Sequence, residues 1–169
     1  MKITETEHLE LRQLYIDDAP FILKLTNDPG WLRFIGDKGI KTIEDARGYI
    51  LEGPVKSYRQ FGFGLFLTIL KQANIPMGIC GLLKRDYLDH ADLGFAFLPE
   101  FRGKGFAAEA SAAVVNWGKE RLGLRRILAI TRPDNHRSVK LLKKSGFTFV
   151  KPMTSPVDHT DIHLFRLDL

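Results

Sequence analysis

The chain holds one cysteine, Cys80, in 169 residues. An internal disulfide is therefore excluded, and a reducing cytosol is the expected compartment. Cys80 lies in the apolar run PMGICGLL, which predicts a buried small hydrophobe and a poor acyl-enzyme candidate. No stretch approaches the ~20 apolar residues that a membrane-spanning helix needs. The opening MKITETEHLELRQL lacks a signal-type apolar core, so a cytoplasmic protein without membrane association is expected. Repeats, low-complexity tracts and linkers are missing too, which predicts a single domain over residues 1–169. A chain of that length buries roughly 70% of its unfolded surface. The phosphate-loop pattern G-x-x-x-x-G-K-[ST] occurs nowhere, which excludes that nucleotide-binding device. His159 and His163 are four apart. In a strand that spacing is about 13 Å, too wide for one ion, so no metal is expected.

The chain has 44% hydrophobic and 27% charged residues and a formal charge of +5, the profile of an ordinary globular protein. Basic residues gather in two places: Arg102 with Lys104, and Arg132, His136, Arg137, Lys140, Lys143 and Lys144. The aromatics fall in strand-like or helix-core patterns, so nucleic-acid binding is not expected. An anionic small ligand fits the basic clusters better, with Lys143 and Lys144 equally well read as solvated.

The densest signal is LGFAFLPEFRGKGFAAEASAA, Leu93 to Ala113. An apolar strand pattern stops at Pro99; Gly103 and Gly105 flank Lys104; an alanine-rich helical pattern begins at once. Strand, glycine turn and helix start together aim backbone N–H groups and a helix dipole at one point, a place for phosphates. GKGFAA also fits the G-x-G-x-x-A dinucleotide fingerprint. That fingerprint belongs directly after the first strand of a domain, whereas here it falls past the middle of the chain.

A second segment, ILAITRPDNHRSVKLLKKSGF, runs from Ile127 to Phe147. It reads as a β-branched strand, a turn at Pro133-Asp134, and a helix. Asp134 or Asn135 is the expected N-cap, Lys143 and Lys144 the last turn, and Gly146 the C′ residue. Elsewhere, Leu9 to Leu14 alternate as a first strand. Asp17-Asp18-Ala19-Pro20 opens a helix carrying Phe21, Ile22 and Leu25, which Asn27-Asp28-Pro29-Gly30 is expected to end. Thr42 and Asp45 form a capping-box pattern ahead of Ala46, Tyr49 and Ile50. Segments 65–70, 77–83 and 91–98 read as an antiparallel meander. In the helix after the glycine turn, Phe106, Ala110, Ala113 and Trp117 share one face. The tail after Asp158 alternates as a closing strand. The expected class is a mixed α/β fold.

The two motifs, R-x-x-G-x-A from Arg102 and the Asn135…Gly146-Phe147 segment, come in the order found in GNAT-type N-acetyltransferases. From about Leu9 to Leu169 the chain resembles that superfamily, and specifically its RimJ/RimL-like branch. The resemblance implies a central, mostly antiparallel sheet flanked by helices, whose fourth and fifth strands splay to admit acetyl-CoA. It implies cosubstrate contacts from Phe95, Ala96, Phe97, Arg102, Gly103, Lys104, Gly105, Phe106, Ala107, Ala108, Asn135 and Ser138. It further implies transfer of an acetyl group to an amine-bearing acceptor, either a protein N-terminus or a small molecule, by a monomer or homodimer. Many such enzymes place a tyrosine acid seven residues after the asparagine; here that position is Leu142. Some place an acidic base five before it; here that is Ile130. Ser138 is the expected substitute acid. Asp92 is the expected base, with Asp86 and His90 behind it, although Asp92 also reads as a solvated strand-end carboxylate. Trp31 and Phe34 are expected in a loop lining the acceptor pocket. Two other functions fit parts of the sequence: a non-catalytic acyl-CoA-binding or sensing module on the same fold, and a dinucleotide-binding protein.

Overall fold

Leu9 and Leu11 alternate with Glu10 and Arg12, and both leucines are fully buried, as a half-buried strand requires. The computed structural model describes all residues, Met1–Leu169. Its strands are β1 (Lys2–Glu5), β2 (Leu9–Arg12), β3 (Leu65–Leu70), β4 (Ile75–Leu83), β5 (Asp92–Phe97), β6 (Arg126–Thr131), β7 (Thr148–Thr154) and β8 (Asp161–Asp168). They form one sheet in the order β1-β2-β3-β4-β5-β6-β8-β7. Every neighbouring pair is antiparallel except β5 and β6.

Adjacent residues of β3 serve opposite faces. Phe66 packs with Cys80, Leu82, Ala110 and Val114 under helix α5 (Phe106–Leu122). Leu67 and Ile69 pack with Ile22, Leu25, Ala46 and Ile50. These last come from α1 (Ala19–Thr26) and α3 (Ile43–Ile50) on the other face. Glycine permits the tight centre of the sheet: a Cβ on Gly81 would lie 2.0 Å from the Gly64 carbonyl oxygen.

Several boundaries differ from expectation, each for a local reason. Asn27-Asp28-Pro29-Gly30 ends α1 but also starts a new helix, α2 (Pro29–Phe34). The Asp28 side chain accepts from the N–H groups of Gly30 and Trp31, and Pro29 fills the first helical position, where its missing N–H costs nothing. Trp31 and Phe34 are therefore helical rather than in a loop. The Thr42–Asp45 capping box forms as expected. α3 then runs on through a π-helical turn at Leu51–Val55 into α4 (Lys56–Phe61), which Gly62 ends in the left-handed region. The buried stripe of α5 is Ala110, Ser111, Val114 and Gly118, not the face centred on Ala113; Trp117 packs edge-on to Phe66 at 5.4 Å. β1 and β7 were not legible as strands. His159 adopts φ 60 in the turn before β8, so it does not share a strand with His163.

Candidate functional site

The one parallel junction makes the site. β5 and β6 are bridged at Asp92 and Leu128 alone, where the Leu128 N–H donates to the Ala91 carbonyl at 2.9 Å. On the opposite edge, the Leu98 N–H donates to the Met77 carbonyl of the β4 side at 2.9 Å. Strand alternation then turns the backbone groups of Phe95 and Phe97 away from β4 and toward the gap. Beyond Leu93, β6 offers them no ladder. The splay expected between the fourth and fifth predicted strands is thus found between β5 and β6. This also removes the dinucleotide reading, which needs a doubly wound parallel sheet around its glycine loop.

The glycine turn follows β5. Gly103 and Gly105 have φ of 72° and 86°, values that glycine adopts without the cost a side chain incurs. α5 has no side-chain N-cap. The backbone N–H groups from Gly103 to Ala108 meet no acceptor in the protein. Six consecutive free donors stand at a helix N-terminus, with Lys104 exposed beside them, an arrangement chemically suited to an anion.

Arg102 is committed elsewhere. Its Nε donates to the Phe97 carbonyl at 3.0 Å and one terminal nitrogen donates to Asp28 at 2.6 Å. Asp28 is 6% exposed and caps α2, so Arg102 ties the glycine turn to that helix. At the far end of α2, Arg33 pairs with Asp134 at 3.6 Å, in the turn before α6 (His136–Lys144).

A cavity of about 520 Å³ occupies the gap. It gathers Asp92, Phe95 and Ala96 from β5, Ser138 of α6 with its N-cap Asn135, and Trp31 and Phe34 from α2. Phe97, Arg102 and residues 103–108 do not line it. The site therefore has two parts, a donor turn and an enclosed chamber, joined along the free edge of β5.

Asn135 caps α6, its side chain accepting from the Ser138 N–H at 3.4 Å. The Ser138 hydroxyl has no protein partner and lies one helical turn before the buried Leu142, both on the chamber wall. Cys80 is buried against Ser111 at 3.9 Å, and burial pushes its thiol up to about 12, which makes it an inert core residue.

Asp92 is not a solvated strand end. It is 1% exposed, and both its oxygens receive Arg85 Nε, at 3.2 and 3.1 Å. Burial pushes its carboxyl up to about 6 against the opposing pull of Arg85. Stability from this group therefore falls as pH rises from its ordinary 3.8 through about 6, because the folded protein holds the proton longer. Arg85 and Tyr49, both on the chamber wall, escaped sequence reasoning. Burial pushes the Tyr49 phenol up to about 12, so it remains a neutral hydroxyl at physiological pH.

The acetyltransferase (GNAT) domain family matches residues 8–148. The uncharacterised N-acetyltransferase YoaA of Bacillus subtilis strain 168 is 31% identical over 147 residues, covering 86% of this chain and 82% of YoaA. A GNAT-family acetyltransferase structure from Bacillus anthracis superimposes with a TM-score of 0.81 at 25% identity, covering 99% and 98% of the two chains. RimL, a ribosomal-protein α-N-acetyltransferase solved with coenzyme A, shares the fold with a TM-score of 0.85 at 19% identity, covering 100% and 98%.

Proposed function

The chain belongs to the GNAT acetyltransferase family, and on that premise we propose that it moves an acetyl group from acetyl-CoA to a primary amine by direct attack in a ternary complex. The observation that carries this reading is the continuous path from the six free N–H donors of residues 103–108, along the unpaired edge of β5, into the chamber. The donor turn takes the pyrophosphate, and the β5 edge takes the amide-bearing arm. Acetyl-CoA supplies an activated thioester. A β5 backbone N–H near Phe97, that of Phe95 on the chamber wall, faces the gap and donates to the oxygen on which negative charge develops. An amine of pKa about 10 must first lose a proton. Asp92 accepts it through water, and the amine nitrogen then bonds to the carbonyl carbon as the carbon–sulfur bond breaks. The Ser138 hydroxyl gives the departing sulfur its proton and is reprotonated, through water, by the second proton that the nitrogen sheds as the amide forms. Holding both reactants side by side supplies much of the remaining acceleration.

Calorimetric titration with acetyl-CoA, CoA and NADH in parallel tests the first half. Micromolar binding of the CoA species alone is expected, and NADH binding alone would sink the reading. Thiol release across an amine panel tests the second half.

Two residue predictions follow from the same roles. Ser138→Ala should lower kcat about 10²-fold, within the usual range for a lost proton donor, with CoA affinity unchanged. Unaltered kcat would remove Ser138 from the mechanism. With Asp92 as base, kcat/KM should fall as pH drops below about 6, where the carboxyl takes up its proton. Asp92→Asn should abolish that acidic limb along with most of the activity; a limb that survives the change excludes Asp92.

A non-catalytic acyl-CoA-binding module on the same fold is favoured by one observation, the buried Leu142 where many relatives carry a tyrosine acid. Tight CoA binding with no thiol release for any amine would establish it.

A further inference from the structure

We infer that the acceptor amine carries a carboxylate and that Arg85 is the residue that selects it; this deepens the acetyl-transfer reading and rests on it. Arg85 follows β4 directly, and the register pairing Leu83 with Asp92 brings it beside that carboxylate. Its side chain is 33% exposed, and it lines the chamber. Nε is engaged on Asp92, and the Tyr87 phenol stands as a second side-chain partner of the guanidinium. No protein carboxylate meets the two terminal nitrogens, and the Tyr49 hydroxyl, which shares the chamber with them, makes no hydrogen bond. Neither terminal nitrogen is a buried atom without a partner, so the fork is an accessible pair of cationic donors on the chamber wall. A carboxylate meets such a fork bidentately, a geometry that Arg offers and Lys does not.

The charges around the chamber agree. Its lining includes Lys38, Lys56, Lys84 and Arg85 against Glu52 and Asp92, four cations to two anions. One anion, Asp92, is already spent on Arg85. The Lys84 ammonium is held by the carbonyls of Leu88 and Arg85 at 3.1 and 3.3 Å. A polyamine or another polycation would enter against this field. An amine with an attached carboxylate would enter with it.

The test uses ω-amino carboxylates of increasing length, each paired with its ω-amino carboxamide, with thiol release from acetyl-CoA as readout. The wild type should favour the carboxylate member by at least ~10-fold in kcat/KM, the size of one charge-assisted pair. In Arg85→Gln that ratio should fall to about 1. Because the ratio compares two substrates on one enzyme, any disturbance of Asp92 cancels from it. Arg85→Lys, which keeps the charge, should retain part of the preference and serves if Arg85→Gln does not fold. A tripeptide with an acidic second residue, run beside the free amino carboxylates, distinguishes a peptide source from a small molecule. Equal rates within the pairs, or spermidine as the better substrate, would overturn the inference while leaving acetyl transfer intact. If acetyl-CoA binds but no amine releases thiol, the transfer reading falls. Calorimetry of the N-acetylated products on the CoA complex then decides the role of Arg85: tighter binding of the carboxylate product, lost in Arg85→Gln, upholds it, and equal binding of the two products overturns it.

Discussion

Gly105→Trp is expected to abolish coenzyme A binding while leaving the fold in place. Gly105 has φ of 86° and immediately precedes α5. Apart from Gly105 itself and its chain neighbours, no atom lies within 4 Å of where its Cβ would be, so a side chain meets no wall of the protein. The folding cost is the strain of a side chain in the left-handed region, about 1–2 kcal/mol. The binding cost is far larger, because the indole would stand within the run of free N–H groups of residues 103–108. Loss of two charge-assisted hydrogen bonds at about 2 kcal/mol each weakens affinity by roughly 1,000-fold. Calorimetry should show micromolar binding reduced to none, with the far-ultraviolet circular dichroism unchanged. Retained affinity would move the phosphate site away from the turn.

Arg102→Met should cost stability first and affinity second. Asp28 is 6% exposed and its charge is met by Arg102 at 2.6 Å. Removing the cation leaves a buried carboxylate with only the α2 N–H groups, a change that costs about 3 kcal/mol in comparable buried pairs. Urea denaturation should show that loss. Coenzyme A affinity should fall only a few-fold, as the turn loses its tie to the Phe97 carbonyl and to α2. The opposite pattern, unchanged stability with affinity lost, would mean that Arg102 leaves Asp28 to hold the phosphates itself.

Legibility in the sequence followed how local each signal was. The glycine turn, the Thr42–Asp45 box, the Asn135 cap and the meander all rest on residues within a few positions of one another, and all were found where expected. α2 was missed because Asn27-Asp28-Pro29-Gly30 is also a stop signal; Asp28 as N-cap with Pro29 behind it was the available clue. β1 is four residues long, and β7 carries Pro152 and is almost wholly exposed, so neither shows the apolar alternation that marks a half-buried strand. The side-chain partnerships around the site were less legible. Asp28 and Arg102 are 74 positions apart, and nothing local to either announces the other. Asp92 looked like a solvated strand end because only the β4–β5 register reveals that Arg85 covers it.

The six donors of residues 103–108 carry a kinetic consequence. A ligand gripped there and along the β5 edge is held by its phosphates and its arm, parts that acetyl transfer leaves untouched. On the proposed reading the grip should bind acetyl-CoA and free CoA about equally, and such uniform binding does nothing for the chemical step. Free CoA should compete with acetyl-CoA at comparable concentrations, and its departure, rather than bond making, is positioned to limit turnover on good acceptors. The chamber alone distinguishes the two, since only there is the acetyl group present or absent. An enzyme built this way would slow as its own thiol product accumulated.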